Sequence, residues 1–288
     1  MKELICDKFY RNGFELHHVD KLVTNRPIAV FDLKNTAKAY PSWQLAQWCC
    51  KNNLANGKER VKQDGTYEIS DPSKKVTVDV EKGIISLELC TSDEYTVARR
   101  EGEGWPHILL EQDFPCKPKV TGAKRILLKI DMSVDKAECC QREECKDFHT
   151  AQFSWIFALA DKSEGEGRED FIWFGCPIYD FRFPFPGEFR AKDGGKPENT
   201  GKYIYFIDSK KYLKEPVAVG RRFSLEIDVT KEMKEAIEDA KSKGFLPRSR
   251  PEDIAINNTN LGWEVTGTFD AALTFYGLSV QVEEDDEK

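Results

Sequence analysis

The feature that most constrains the fold is a period-two alternation of apolar and polar residues, which recurs along most of the chain. Such alternation places one face of a β-strand in a core and the other face in water. The clearest segments are 28–33, 75–80, 84–90, 126–134, 149–161, 170–175, 202–208, 223–229 and 271–283. Most are separated by short clusters of Gly, Pro, Asn or Asp, which are typical of turns. Because these connections are too short and polar to hold crossover helices, the pattern predicts an all-β, antiparallel β-sandwich.

One segment, residues 231–243, has helical periodicity instead. Its apolar residues follow the i, i+3, i+4, i+7 spacing of a single stripe: Met233, Ala236, Ile237 and Ala240. Asp228 or Thr230 can cap its start, and Gly244 stands where a left-handed cap would end it. We expect an amphipathic helix near 231–243 that covers one edge or end of the sandwich.

The 288 residues, 40% of them hydrophobic, suffice for one large core. We expect a single domain over residues 1–288 with an acidic C-terminal tail. The charged stretch 135–146 is a candidate minor seam, and we interpret it as a surface hairpin or short helix within one sandwich.

Charge and hydropathy disfavour two kinds of partner. The chain has 43 Lys and Arg against 50 Asp and Glu, a formal net charge of −7, and no block rich in Lys and Arg. Nucleic acid is therefore not expected as a partner. No stretch approaches the roughly 18 to 20 apolar residues of a membrane-spanning helix, so no membrane partner is expected.

The N-terminal segment and the cysteines bear on the compartment. Residues 1–20 lack the apolar region of a secretory signal, so we expect a cytoplasmic protein, or a secreted one whose leader has been removed. The nine cysteines are an odd number and include the adjacent pairs Cys49–Cys50 and Cys139–Cys140. Adjacent cysteines rarely bond to each other, which favours reduced thiols in a reducing compartment.

Aromatic rings beside polar planar groups are typical of sugar-binding sites, because the ring covers the apolar face of a pyranose and the polar groups bind its hydroxyls. The segment WPHILLEQD begins at Trp105 and places His107, Glu111 and Asp113 on one strand face. That face either lines such a site or is simply solvated.

A second aromatic region lies between residues 149 and 201. The strand DFIWFG contains Trp173, and Asp180 and Arg182 follow its end, where they either clamp a hydroxylated ligand or form a salt bridge that fixes a loop. The segment 181–201 combines four phenylalanines and two prolines with a flexible Asp-Gly-Gly. Such a long connection suits a lid or cleft wall, with an oligomer contact through 181–201 as the alternative.

The third region contains Trp263 and Glu264. Trp263 either stacks on a sugar or packs in the core, and Glu264 either binds or protonates a sugar or is satisfied by neighbouring Asn side chains. Glycoside hydrolysis needs two carboxylates across a cleft. If the protein is an enzyme, the candidates are Glu111, Asp113 and Glu264.

Three segments together resemble a known class of fold: HTAQF at 149–153, the DFIWFG run at 170–182, and GWEVTGTFD at 262–270. They are similar to the jelly-roll, concanavalin-like sandwiches of bacterial carbohydrate-binding and carbohydrate-processing proteins. The resemblance implies a glycan-facing sandwich with a concave sheet. No metal site is predicted, because the spacing of Cys140, Cys145 and His149 is not that of a typical zinc site. A structural calcium ion is the remaining cofactor that jelly rolls suggest.

The leading hypothesis is thus a carbohydrate-binding sandwich that holds an oligosaccharide or polysaccharide. Its predicted ligand-binding residues are Trp105, His107, Trp173, Asp180, Arg182 and Trp263. The alternatives are a glycoside hydrolase or polysaccharide lyase on the same fold, and a structural or oligomerisation module.

Overall fold

A computed structural model describes residues 1–34, 37–141, 148–168 and 170–284. The early strands are β1 (Lys2–Glu3), β2 (Phe14–Leu16), β3 (Ala29–Phe31), β4 (Trp43–Ala46), β5 (Lys58–Val61), β6 (Tyr67–Ser70), β7 (Lys74–Asp79) and β8 (Ile84–Cys90). The later strands are β9 (His107–Asp113), β10 (Ala123–Cys139), β11 (Ala151–Asp161), β12 (Phe171–Asp180), β13 (Phe189–Lys192), β14 (Tyr203–Phe206), β15 (Arg222–Asp228), β16 (Ile254–Val265) and β17 (Phe269–Glu284). The helix α1 spans Thr230–Ser242, and short 3-10 turns lie at Leu54–Asn56, Ser209–Lys211 and Pro251–Asp253.

The strands form two sheets. The order β15-β10-β17-β8-β7-β6-β5, with β1 paired to β17, makes the eight-stranded sheet. The order β13-β14-β12-β11-β16-β9-β4-β2-β3 makes the nine-stranded sheet. The strands pair antiparallel except at β12–β14 and β2–β4. The predicted antiparallel β-sandwich is confirmed.

The core lies between the two sheets and follows from the alternation. In β10, Ile126, Leu128 and Ile130 are buried, and in β11 the core residues are Phe153 and Trp155. Residues from both sheets belong to one contiguous apolar cluster, which removes a large apolar area from water. That one domain spans residues 1–288 stays a prediction. The proposed seam at 135–146 falls partly within β10 and partly, at 142–146, outside the described residues. The end of the acidic tail at 285–288 also lies outside them.

The predicted helix is confirmed as α1, with Met233, Ala236, Ile237 and Ala240 buried. Asp228 Oδ1 accepts hydrogen bonds from the Thr230 amide at 3.1 Å and the Thr230 hydroxyl at 2.5 Å. Gly244 has φ +81°, the left-handed conformation that ends a helix at low steric cost. The helix packs against β10 of one sheet and β12 of the other, so it covers an end of the sandwich.

Candidate functional site

A cleft of about 780 Å³ lies on the face of the nine-stranded sheet that is turned away from the core. Its floor comes from β9, β11, β12, β14 and β16, and the segment 182–200 supplies much of one wall. The predicted residues that line it are Trp105, His107, Glu111, Trp173, Asp180, Arg182 and Glu264. The fold therefore gathers into one cleft side chains that are far apart in the sequence.

The centre of the floor is a cross-strand row of three side chains. The register places Glu264 of β16 between Gln152 of β11 and His107 of β9. His107 Nε2 donates a hydrogen bond to Glu264 Oε1 at 2.9 Å, and Gln152 Nε2 donates one to Glu264 Oε2 at 3.1 Å. Each carboxylate oxygen of Glu264 thus has a donor, and the side chain remains 16% exposed to the cleft.

These donors set the charge of Glu264. Burial alone would raise the pKa of its carboxyl group, but the hydrogen bond and charge of His107, the charge of Lys196 and the Gln152 amide outweigh it and lower the pKa to about 2. Glu264 is therefore an ionised carboxylate at neutral pH.

Glu111 on β9 has different surroundings. Burial raises the pKa of its carboxyl group, against the opposing charges of His17 and Lys21 and a hydrogen bond from Trp48. His17 Nε2 lies 3.8 Å from Glu111 Oε2 and donates to Gln44 Oε1 at 3.1 Å. Of Glu111 and Glu264, Glu111 is thus the one that retains a proton to higher pH.

The register also fixes the spacing of the two glutamates. Glu264 pairs with His107 and Glu111 pairs with Asn260, so they are offset by four residues on adjacent strands, a Cα separation of about 14 Å. Directly opposed residues on adjacent strands have Cβ atoms only about 4.5 to 5.5 Å apart, so the two glutamates are much farther apart along the sheet than a directly opposed pair.

Aromatic side chains bound the cleft on opposite sides. Trp105 stands on the side of β9, with Lys196 Nζ 4.7 Å from its ring centroid. Trp173 stands on β12, and its indole Nε1 donates to Thr200 Oγ1 at 3.0 Å. Both rings can present a face to a sugar in the manner predicted from the sequence.

The predicted pair at the end of β12 forms a salt bridge. Arg182 Nε and Nη2 donate to Asp180 Oδ1 and Oδ2 at 2.9 and 2.6 Å, and Thr150 Oγ1 donates to Asp180 Oδ1 at 2.8 Å. Asp180 is therefore engaged in fixing this end of the strand, while the guanidinium borders the cleft.

Two predicted site residues are corrected by the structure. Trp263 is fully buried, pairs with Phe153 and Ile108 and lies in the core, so its prediction as a ligand platform is wrong. Adjacent residues of a strand point to opposite faces, so Trp263 faces the core because Glu264 faces the cleft. Asp113, at the exposed end of β9, does not line the cleft, and its candidacy as a catalytic residue fails because it is remote from Glu264.

Several cleft residues were not predicted. Lys21, Trp48, Gln152 and Asn260 also line the cleft, and His17 supports Glu111 from β2. The alternation in HTAQF places Gln152 and Phe153 on opposite faces of the strand, so the sequence could have indicated that Gln152 faces away from the core. His17 and Trp48 flank strands of only three and four residues, too short for a periodicity to show.

Three negative findings concern the described residues. No group of three or more His, Cys, Asp or Glu side chains is placed there to hold a metal, and the calcium ion stays a prediction. The described cysteines are all free thiols; Cys145, which belongs to the spacing considered for zinc, lies outside the described residues. No helix in the described ranges is long and apolar enough to cross a membrane.

No family model and no curated protein matches the chain. Solved structures that are similar to it include a native family 12 xyloglucanase from Bacillus licheniformis, with 9% identity, coverage of 80% of this chain and 98% of that chain, and a TM-score of 0.48. A family 11 xylanase from Neocallimastix patriciarum has 12% identity, 79% and 96% coverage, and a TM-score of 0.43. The xyloglucanase domain of NopAA, a type three effector from Sinorhizobium fredii, in complex with cellobiose, has 10% identity, 80% and 98% coverage, and a TM-score of 0.41.

The two mainly antiparallel sheets that enclose one core confirm the β-sandwich architecture that the resemblance implies. What this chain does has to be argued from its own cleft.

Proposed function

We propose that this protein is a glycoside hydrolase that binds a neutral oligosaccharide in the cleft. The observation that carries the proposal is that Glu111 and Glu264 face the same aromatic-lined cleft from adjacent strands, the first partly buried and the second held by hydrogen bonds from His107 and Gln152. Hydrolysis of a glycosidic bond needs such a pair, in which one carboxyl group carries a proton and the other is ionised.

The roles follow from the surroundings. Glu111, whose pKa is raised by burial, serves as the general acid that protonates the leaving oxygen. Glu264, whose pKa is about 2, serves as the general base that takes a proton from the attacking water. Protonation by the acid makes the glycosidic oxygen a better leaving group, and removal of a proton by the base makes the attacking water a stronger nucleophile.

The offset of four residues favours inversion of the anomeric carbon. A retaining hydrolase needs its carboxyl groups about 5 to 5.5 Å apart, whereas an inverting one needs about 6.5 to 9.5 Å to admit a water. A backbone separation of about 14 Å is too long for the short distance of a retaining pair and favours the longer distance of an inverting pair.

The charges of the cleft favour a neutral sugar. Among the described lining residues, acidic side chains outnumber Lys and Arg: Glu111, Asp180, Glu188, Asp193, Glu198 and Glu264 against Lys21, Arg182, Lys192 and Lys196. A polyanionic glycan would bring more negative charge into this cleft and into a chain whose net charge is −7.

A second candidate is an oligosaccharide-binding protein without turnover. It is favoured by Gln152, which occupies the position directly opposite Glu264 with a neutral amide. A carboxylate there would stand at the distance of a retaining pair, and the amide instead ties up one oxygen of Glu264.

The test uses a panel of soluble neutral oligosaccharides and β-glucan, xylan and xyloglucan polymers. Binding is measured by calorimetry and turnover by release of reducing ends. If the protein is a hydrolase, we expect turnover by the wild type and its loss in Glu111→Gln and Glu264→Gln. Asp113→Asn is a matched control outside the cleft and should retain turnover. Binding without turnover supports the second candidate, and the absence of both refutes a carbohydrate function.

A further inference from the structure

Residues 193–201, which we call the strap, connect β13 to β14 at one side of the cleft. The strap is closed at its base, where the Asp193 amide donates to Lys202 O at 2.7 Å and Asp193 Oδ2 accepts from the Thr200 amide at 2.7 Å. Its two ends are therefore adjacent, and the residues between them form a projecting loop.

The tip of the strap contacts the opposite side of the cleft. Cys49 Sγ donates to Glu198 Oε1 at 3.2 Å, and Lys196 lies over the ring of Trp105. Cys49 follows β4 and Trp105 precedes β9, whereas the strap begins beyond β12 in the sheet order. The strands β12, β11 and β16 lie between β14 and β9, so the strap reaches across the cleft floor to make these contacts.

Glycines lie on both sides of the contact between the strap and Cys49. A Cβ atom on Gly104 would lie 2.5 Å from Cys49 Sγ and 3.3 Å from Glu198 Oε1, so a larger residue at 104 would crowd the contact between Cys49 and the strap. Gly195 and Gly201 have φ of +76° and +66°, which few other residues adopt, and they shape the strap at its turn and its end.

The strap also contacts the sugar-facing groups of the cleft. Thr200 accepts the Trp173 indole hydrogen bond, Lys196 covers Trp105, and the charge of Lys196 helps to keep Glu264 ionised. A long glycan that lay across the floor would have to pass beneath this crossing loop. The cleft volume of about 780 Å³ is within the range of sites that bind small ligands.

We propose that the strap restricts the cleft to short oligosaccharides and to the ends of glycan chains, and excludes the interior of a long polysaccharide. This inference rests on the proposed carbohydrate function, whether the glycan is cleaved or only bound. It assigns to residues 193–201 the choice of substrate length, a role separate from that of Glu111 and Glu264.

The test removes residues 194–199, which the adjacency of Asp193 and Thr200 allows without spanning a gap. Proteins with the intact and the shortened strap are compared in the Glu264→Gln background, which prevents cleavage. The number of protein molecules bound per molecule of β-glucan, xylan or xyloglucan is measured on size-fractionated chains. A Glu198→Ala, Lys196→Gln double variant, which releases the tip alone, serves in place of the deletion if the deletion does not fold.

With the intact strap, we expect the number bound per polysaccharide molecule to stay constant as the chain lengthens. With the shortened or released strap, it should rise in proportion to chain length. Equal numbers for intact and altered straps at every chain length, including the longest, would overturn the inference while leaving the carbohydrate function in place. Absence of binding by both proteins to polymers and short oligosaccharides alike would refute the proposed function and the inference with it.

Discussion

Two clusters of buried acidic and basic groups differ in what surrounds them. In the first, Lys74 Nζ lies 2.9 Å from Asp71 Oδ2 and 3.3 Å from Glu94 Oε1, and these side chains are at most 2% exposed. In the second, His107 and Gln152 hold Glu264, whose side chain faces the cleft. The first cluster is sealed and the second is open.

A cluster of buried charged groups is therefore not by itself evidence of a ligand-binding or catalytic site. Lys74 also donates to Asn52 O at 2.8 Å, and Glu94 accepts hydrogen bonds from Ser73 and the amides of Lys51 and Asn52. These contacts fix the loop after β4, which carries Trp48 and Cys49 to the rim of the cleft. The sealed cluster therefore serves the open one by positioning its wall.

The largest expected effect is on turnover by the open cluster. Glu264→Gln keeps the shape of the side chain but removes the base, and we expect kcat to fall by about 10² to 10⁴-fold. Reducing-end release measures the loss. Asp113→Asn should retain wild-type kcat, and an equal fall in both variants would show that Glu264 is not specifically required.

The sealed cluster should affect stability instead. Lys74→Met leaves two buried carboxylates without their cation, and we expect the free energy of unfolding to fall by about 3 to 5 kcal/mol. Chemical denaturation measures it. Lys82→Met is the matched control, because Lys82 pairs with Asp79 at the same i, i+3 spacing but is 72% exposed, and should leave the stability close to that of the wild type.

The two tryptophans of opposite orientation make a further contrast. Trp263→Ala empties a core position and should lower the free energy of unfolding by about 3 to 5 kcal/mol. Trp105→Ala, on the cleft side, should mainly weaken oligosaccharide binding. Thermal unfolding and titration on both variants separate the effects, and a Trp263→Ala protein of wild-type stability would contradict the core assignment.

The smallest effect is a pH dependence. The pKa of Glu264 in the folded protein is about 2, below its ordinary value near 4.5, so its ionised form stabilises the fold. This contribution is fully present above about pH 4.5 and disappears as the pH falls through about 2. Unfolding of the wild type and Glu264→Gln over this range should converge at low pH; a constant difference would show that ionisation of Glu264 is not its source.

Much of the fold and part of the site follow from the sequence because both depend on strand alternation. The alternation in WPHILLEQD predicts that His107 and Glu111 lie on the same strand face, and both line the cleft in the structure. The same rule places Trp263 and Glu264 on opposite faces of β16, so only one of the two can line the cleft.

Other parts could not be predicted because they depend on pairings between distant segments. Gln152, Glu264 and His107 form one row only through the registers of β11, β16 and β9. The strap was recognised as a lid or wall from its composition, yet its contact with Cys49 joins residues 149 apart in sequence. The oligomer contact through 181–201 and the cytoplasmic or secreted location stay predictions.

The most direct test of the central claim is the release of reducing ends from the neutral glycan panel by the wild type, Glu111→Gln and Glu264→Gln, with the anomeric configuration of the first product followed by NMR. The account predicts release by the wild type with inverted configuration and its loss in both variants. Release with retained configuration, or undiminished release by either variant, would contradict the assignment of Glu111 as acid and Glu264 as base.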